Sequence, residues 1–529
     1  MPFKPKLTKK GIRLPKKIIK QQILDDIKEK LTVTPKVNLD YGAEALPFPM
    51  YRENEFALYY PRYFSQKNEY SIPKKMNGEN ININFLGKLR KLQQPIAKQC
   101  ISKIKNLGGG IISLPCGYGK TILAIYIACQ LKRKVLVIVH KTFLQDQWIE
   151  RIKEFTNAKT GIIRQNKIEI EGNDIVIGML QSISIKKYSS DTFKPFGLVI
   201  FDEVHRVGSR VFSRALFKAG ARYTLGLSAT PQRSDGLMKI IKWHLGDIIH
   251  KEDRKKNTSV VVKSINFKSN DKLFAEKSRY NPSRHKSVPD VQKMISSIEK
   301  IKSRTNLIIL ILNALRKIPK RQILILSGRL KLLYLLKDEL DKLIKKDVDV
   351  KNIEEGEITT AYYIGKCTPK ERILAAEADV IFATYAMAEE GLDIPGLNTL
   401  VLVTPKSSII QSCGRILRKE NYGENEFPLI IDVVDLLSLF THQGRKRNKL
   451  YNEKKYLVDK MYFTDNIFTG YKPNSTLKDD ISLDDMVKIL STKPPEPKKS
   501  DKEEVNVKGL SKKALSGSLF VEEEDDDYD

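Results

Sequence analysis

Two short strings in this chain carry residue types suited to phosphate chemistry: LPCGYGKT, Leu114 to Thr121, and FDEVH, Phe201 to His205. In the first, Gly117 and Gly119 let backbone N–H groups turn inward around an anion, because glycine tolerates the dihedrals and admits close approach. Leu114, Pro115, Cys116 and Tyr118 complete the loop. Lys120 then supplies a point charge to the β- and γ-phosphates of a nucleotide, and Thr121 a hydroxyl to a magnesium ion. The second string supplies two carboxylates, with Asp202 placed to hold the metal and Glu203 to orient and deprotonate an attacking water. His205 is a candidate for coupling that site to the rest of the chain. Each string also has a plain alternative. Leu114 stands where the strict GxxxxGK pattern has its first glycine, so the loop could be a turn without a ligand, and acidic residues after a strand often cap helices. A capping pair has no reason to accompany a phosphate loop, and together the strings predict ATP hydrolysis.

These residues must be positioned by an alternation of short apolar strands and amphipathic helices. Strands are expected at Ile111–Leu114, Val135–Val139, Asp174–Ile177, Leu198–Phe201 and Thr224–Leu227, and a helix after Thr121. The pattern predicts an α/β fold, a parallel sheet with helices on both faces and its ligand at the carboxyl ends of the strands. After a polar, lysine-rich interval the pattern restarts. Ile323–Ser327, Thr359–Ile364, Asp379–Ala383, Thr399–Val403 and Leu429–Val433 would be the strands of a second unit without a phosphate loop. The expected organisation is a basic arm and small aromatic-rich accessory region over 1–84, a first lobe over 85–250, a linker over 251–304, a second lobe over 305–465, and a flexible tail over 466–529 that ends EEEDDDYD. The aromatics between residues 48 and 64, interleaved with Arg52 and Arg62, can stack on bases or pack a core.

Lys and Arg outnumber Asp and Glu by 93 to 63, a formal charge of +30, which favours a polyanionic partner such as nucleic acid. Five scattered cysteines without a CxxC pair predict a reducing, intracellular compartment and no zinc site. No apolar run approaches a bilayer span and the basic N-terminus has no apolar core of a secretory signal, so a soluble protein is expected.

In the second unit, QSCGRILR places Arg415 and Arg418 on one side of a helical turn, where two guanidiniums aimed across a cleft could stabilise charge on a transferring phosphoryl group. A solvated basic helix face is the alternative. The run GRKRNK, Gly444 to Lys449, could hold a backbone phosphate or be another such face.

With LPCGYGKT, DEVH, LSATP at 227–231, ATYAMAEEGLDIP at 383–395 and QSCGRILR in order, residues 85 to 460 resemble a superfamily 2 DExH helicase. VHKTFLQDQW at 139–148, DIVIGMLQSI at 174–183 and SATPQRSDGL at 228–237 are similar to the XPB and UvsW-like branch, especially the poxvirus-type transcript-release helicase and its large DNA virus relatives. The Arg-Glu-Asp triplet of XPB-type proteins stands here as Arg233-Ser234-Asp235, without the Glu. The resemblance implies two RecA-like lobes that close on ATP and magnesium while a strand crosses both, with movement 3′ to 5′. It implies that Arg90 and Gln93 meet the adenine, that Ser228 and Thr230 couple the ATP site to lobe movement, and that Gly391, Asp393 and Gln411 join the site from the second lobe. Lys141, Thr142, Gln181, Ser182, Arg329, Thr384 and Tyr385 would contact the strand. DNA is the expected partner, RNA the alternative, and the acidic tail could recruit transcription machinery.

Overall fold

In the first sheet every position of the strands Gly109–Ser113, Val135–Val139, Ile175–Met179 and Leu198–Phe201 is buried. Strands rich in Val and Ile and buried on both faces are what a parallel sheet covered by helices requires. The computed structural model describes residues 5–36, 46–65, 70–115, 117–189, 191–229, 235–252, 259–281, 285–351, 358–392, 394–417, 426–472 and 479–494. The first sheet has eight strands in the order Lys167–Ile168, Thr160–Arg164, Ile175–Met179, Val135–Val139, Leu198–Phe201, Tyr223–Ser228, Gly109–Ser113 and Ile248–Lys251. All neighbours are parallel except the first pair. The order brings Tyr223–Ser228 between the strand that feeds the glycine loop and the strand that ends at Asp202.

The second sheet runs Thr360–Tyr363, Val380–Thr384, Ile323–Ser327, Thr399–Leu402, Leu429–Asp435, Val261–Lys268, Leu457–Thr464, Ile467–Gly470 and Asp479–Asp480. It is parallel through Leu457–Thr464 and antiparallel thereafter. Both sheets belong to the unit spanning residues 1–493, so two parallel-sheet α/β lobes make one body. Ten expected strands lie within two residues of their expected ends.

Three expected boundaries move. The interval 251–304 is more than a linker. Its strand Val261–Lys268 is inserted between Leu429–Asp435 and Leu457–Thr464, and Arg304 pairs inside the core with Asp435, Nε to Oδ1 at 2.6 Å. Residues 5–15 are not a loose arm either, since Lys6–Thr8 pairs with Gly11–Pro15, which pairs with Ala57–Tyr60. Leu7, Ile12, Leu24, Leu58 and Tyr60 share one apolar cluster with Phe201, Val204 and Ile240 of the first lobe. Beyond 465 the second lobe continues through the helix Leu483–Ser491, whose Met486 and Leu490 are buried in its core.

The aromatic-rich region packs. Arg62 is buried, donating from Nε to the Tyr70 hydroxyl at 2.6 Å and from Nη1 to the Arg222 carbonyl at 2.6 Å, while Phe64 meets Trp243 edge-on at 5.3 Å. Among the described residues no helix is long and apolar enough to cross a membrane.

Candidate active site

The loop after Gly109–Ser113 leads directly into the helix Lys120–Leu131. Gly117 and Gly119 sit at φ +84° and +73°, left-handed conformations that favour glycine, and a Cβ on Gly119 would lie 2.5 Å from Gln93 Nε2. Gln93 opens the helix Gln93–Leu107 and donates from Nε2 to the carbonyls of Tyr118 at 2.9 Å and Gly119 at 3.3 Å. Its Oε1 accepts the Arg90 amide at 3.0 Å, and the Arg90 guanidinium donates to the Gly117 carbonyl at 3.2 Å. In a trans peptide C=O and N–H point oppositely, so with these carbonyls drawn to one side the amides of Gly119 and Lys120 face the other. Lys120 Nζ donates across the loop to the Leu114 carbonyl at 3.2 Å. The Leu114 amide in turn donates to the Ser228 carbonyl at 3.1 Å, which ties the loop to the strand beside it.

Asp202 and Glu203 emerge at the carboxyl end of Leu198–Phe201, and Glu203 takes φ +47°, a strained value for a residue with a Cβ. The turn sends the two carboxylates different ways. Asp202 Oδ1 accepts the Glu203 amide at 3.0 Å, and Oδ2 accepts the indole N–H of Trp148 at 2.9 Å. Burial raises the Asp202 carboxyl and neighbouring Glu203 adds to that, against the opposing pull of Trp148 and Lys120. Glu203 goes the other way. Burial pushes it up, but the His205 imidazole, the Lys120 ammonium and the Arg415 guanidinium outweigh it and hold the carboxyl below its ordinary range. His205 Nδ1 stands 3.3 Å from Glu203 Oε2, a buried oxygen with no hydrogen bond. Ser228 is fully buried at the end of the intervening strand.

The second lobe brings Arg415. Its Nη1 donates to the Leu392 carbonyl at 2.8 Å and its Nη2 to the Glu389 carbonyl, so the end of the helix Tyr385–Gly391 fixes the guanidinium. Gly391 closes that helix and Gln411 lies on the short helix Ile410–Cys413. Behind them Arg447 forks onto Asp432, Nε to both oxygens at 3.0 and 2.9 Å, and the Tyr451 hydroxyl donates to Asp432 at 2.9 Å. Arg447 of the GRKRNK run is therefore a core residue of the helix Ser438–Glu453 and unavailable to a phosphate. Cys116, Thr230, Arg233, Ser234, Asp393, Arg418 and the acidic run lie outside the described residues.

The expected strand contacts divide. Lys141 precedes the helix Thr142–Phe155 and donates to the Ala386 carbonyl of the other lobe at 3.2 Å. Gln181 donates to the His140 carbonyl at 2.6 Å, Arg329 to the Gln292 side chain at 2.7 Å, and Thr384 leads into the helix Tyr385–Gly391. Ser182 and Tyr385 are buried, the first accepting the Gln165 amide at 2.9 Å and the second donating to the Thr404 carbonyl at 2.8 Å. Their side chains support the surface rather than form it. Trp148 lies within VHKTFLQDQW, but its contact with Asp202 is not evident from the sequence. The available signal was that a buried indole needs an acceptor.

Residues 86–233 match the family model described as "Type III restriction enzyme, res subunit". Over 530 residues, 98% of each chain, this one is 37% identical to "Putative ATP-dependent RNA helicase L396" of Acanthamoeba polyphaga mimivirus. The chain belongs to the superfamily 2 helicases. This helicase is also 29% identical to "Putative helicase 161L" of Invertebrate iridescent virus 6 over 77% of its length and 90% of that protein. Its fold is similar to "The fragment structure of a putative HsdR subunit of a type I restriction enzyme from Vibrio vulnificus YJ016", with a TM-score of 0.50, 16% identity, and 72% and 70% of the two chains covered. The helicase is thus an ATP-hydrolysing enzyme of two parallel-sheet lobes, related to helicases of large DNA viruses. Among its described residues no cluster of three His, Cys, Asp or Glu could cage a metal. A magnesium ion that arrives with ATP needs none, because it takes most of its ligands from phosphate and water and one or two from protein. The Thr121 hydroxyl and the Asp202 carboxylate, with its two oxygens held by donors, fit that sparse demand.

Proposed function

We propose that this helicase is a DNA-stimulated motor that uses ATP and magnesium to move 3′ to 5′ along one strand, in transcription or its termination. The observation that carries the reading is that Lys141 of the first lobe donates to the Ala386 carbonyl at 3.2 Å, on the same helix of the second lobe whose Glu389 carbonyl holds Arg415. Hydrolysis in the first lobe that draws on a guanidinium fixed in the second depends on how the lobes sit, which is what a motor needs.

In this reading the amides of Gly119 and Lys120 cradle the phosphates and the Lys120 ammonium leaves the Leu114 carbonyl for the β- and γ-oxygens. When bound, magnesium neutralises phosphate charge, with Thr121 and Asp202 as its protein ligands. Glu203, kept ionised by its cationic neighbours, accepts the proton of the attacking water. His205 beside it carries the state of that carboxylate toward the rest of the first lobe, with Ser228 at the adjoining strand end, and Thr230 shares that coupling role. Arg415 and Arg418 stabilise charge on the transferring group, and Gly391, Asp393 and Gln411 complete the second-lobe wall. Arg90 and Gln93 shape the loop while lying at the adenine end.

Lys141, Thr142, Gln181, Arg329 and Thr384 provide strand contacts directed at phosphate, so binding is independent of sequence and weakens with salt. The charge of +30 and the restriction-enzyme description of the matching family model favour DNA. The name of the mimivirus relative favours RNA. ATPase stimulation compared across single-stranded DNA, duplex DNA, RNA and an RNA–DNA hybrid separates the two. The greatest stimulation is expected with single-stranded DNA, and a larger rise with RNA overturns the DNA assignment.

A further inference from the structure

The helix Thr142–Phe155 turns a stripe of Leu144, Gln145, Trp148 and Ile152 into the first lobe. Leu144, Trp148 and Ile152 are spaced four apart and Gln145 lies three before Trp148, so they share one face. Trp148 is only 2% exposed, and it spends its one polar group on Asp202. The two Asp202 oxygens therefore have different donors, the indole on Oδ2 at 2.9 Å and the Glu203 amide on Oδ1 at 3.0 Å. The amide belongs to the strained turn and sets where the carboxylate begins. The indole sets its rotation, because a donor on each oxygen fixes the carboxylate plane and leaves the remaining lone pairs a defined direction. A packed tryptophan is suited to this. It has two side-chain torsions, both locked by the core, and its N–H cannot swing away as a hydroxyl can.

We propose that Trp148 is a positioning residue that holds Asp202 in the orientation required of a magnesium-binding carboxylate. The proposal rests on the reading of Asp202 as that carboxylate. Groups that orient a metal-binding side chain typically change metal affinity or activity by about 10- to 100-fold when removed.

The chain has two tryptophans, Trp148 and Trp243, so Trp243→Phe leaves Trp148 as the sole indole emitter. In that protein, emission is expected to shift on addition of ADP with magnesium and to stay unchanged with ADP in EDTA. Adding Asp202→Asn to the same background should remove the magnesium response. In Trp148→Phe, which keeps an aromatic ring and deletes the N–H, the half-saturating magnesium concentration for ATPase should rise by about 10- to 100-fold. ADP affinity measured in EDTA should stay within about twofold, since the phosphate cradle is untouched. A silent Trp148 in an active Trp243→Phe protein, or an unchanged magnesium requirement in Trp148→Phe, overturns the proposal. Should Trp148→Phe aggregate, the sole-tryptophan emission decides alone. If Asp202→Asn keeps the parent's magnesium dependence, the reading of Asp202 fails instead.

Discussion

The Arg415 guanidinium of the second lobe is anchored on the Leu392 carbonyl, with Nη1 to oxygen at 2.8 Å. Arg415 is held by two backbone carbonyls, those of Leu392 and Glu389, so it is aimed before any nucleotide arrives. A pre-aimed cation stabilises charge that develops during the reaction without reorganising. Arg415→Ala should therefore slow ATP turnover by about 10³-fold, the lower range for arginine fingers, and change ADP affinity little. Arg415→Lys should not rescue, because one ammonium cannot span both carbonyls and still face the cleft. The kcat and nucleotide Kd of both variants decide the matter, and equal losses in both quantities speak for a ground-state role.

Glu203→Gln isolates the base. The substitution keeps the size of the side chain and the left-handed turn, while removing the acceptor for the proton of water. ATP binding should stay within a few-fold of the parent and hydrolysis should fall by about 10²- to 10⁴-fold, the contribution of a positioned general base. Single-turnover hydrolysis beside equilibrium binding of ATP measures both. Near-normal turnover removes Glu203 from the role.

The glycine loop, the DEVH string and the expected strands were legible because parallel strands covered on both faces leave unbroken apolar runs. What stayed hidden was strand character disguised by polar letters. Val261–Lys268 contains Lys263 and Asn266, both buried, the first donating to Asp459 at 2.8 Å and the second to the Met461 carbonyl at 3.2 Å. Such partners come from residues nearly 200 positions away, so the sequence shows the polarity without the pairing. The N-terminal strands were masked in the same way by lysines around Leu7, Ile12 and Leu14. The helix Leu483–Ser491 did carry a readable sign, the Ser482–Asp485 capping box, with each residue's side chain accepting the other's amide. In the candidate site, Lys120, Asp202, Glu203 and Arg415 can be named from the sequence. That Trp148 donates to Asp202 depends on tertiary placement that spacing cannot report.

Gln93 has both ends of its amide engaged, Nε2 with the loop carbonyls and Oε1 with the Arg90 amide. Its first effect should therefore be on the shape of the phosphate loop, which every nucleotide uses. Gln93→Ala should raise KM for ATP by roughly tenfold, the effect of losing one to two buried hydrogen bonds. The same factor is expected for GTP. Steady-state kinetics with the two nucleotides check this. A loss confined to ATP shows that Gln93 chiefly reads the adenine.

His244 predicts how the first lobe responds to acid. Its Nδ1 lies 3.0 Å from the Ile240 carbonyl, so Nδ1 carries the proton and Nε2 is bare, buried and without a partner against the Phe217 ring at 4.7 Å. Burial lowers its pKa from the usual 6.5 to about 4, with the Ile240 carbonyl opposing and Arg52 adding to the fall. The unfolded chain thus takes up a proton near pH 6.5 that the folded chain refuses until about pH 4. Stability from this group is complete above the first value and is lost as the pH falls toward the second, in total roughly 3 kcal/mol. His244→Leu removes the titrating ring while keeping an apolar side chain, so its urea midpoint should fall less than the parent's between pH 6.5 and 4. Denaturation followed across that interval tests the assignment, and parallel losses in the two proteins place the acid sensitivity elsewhere.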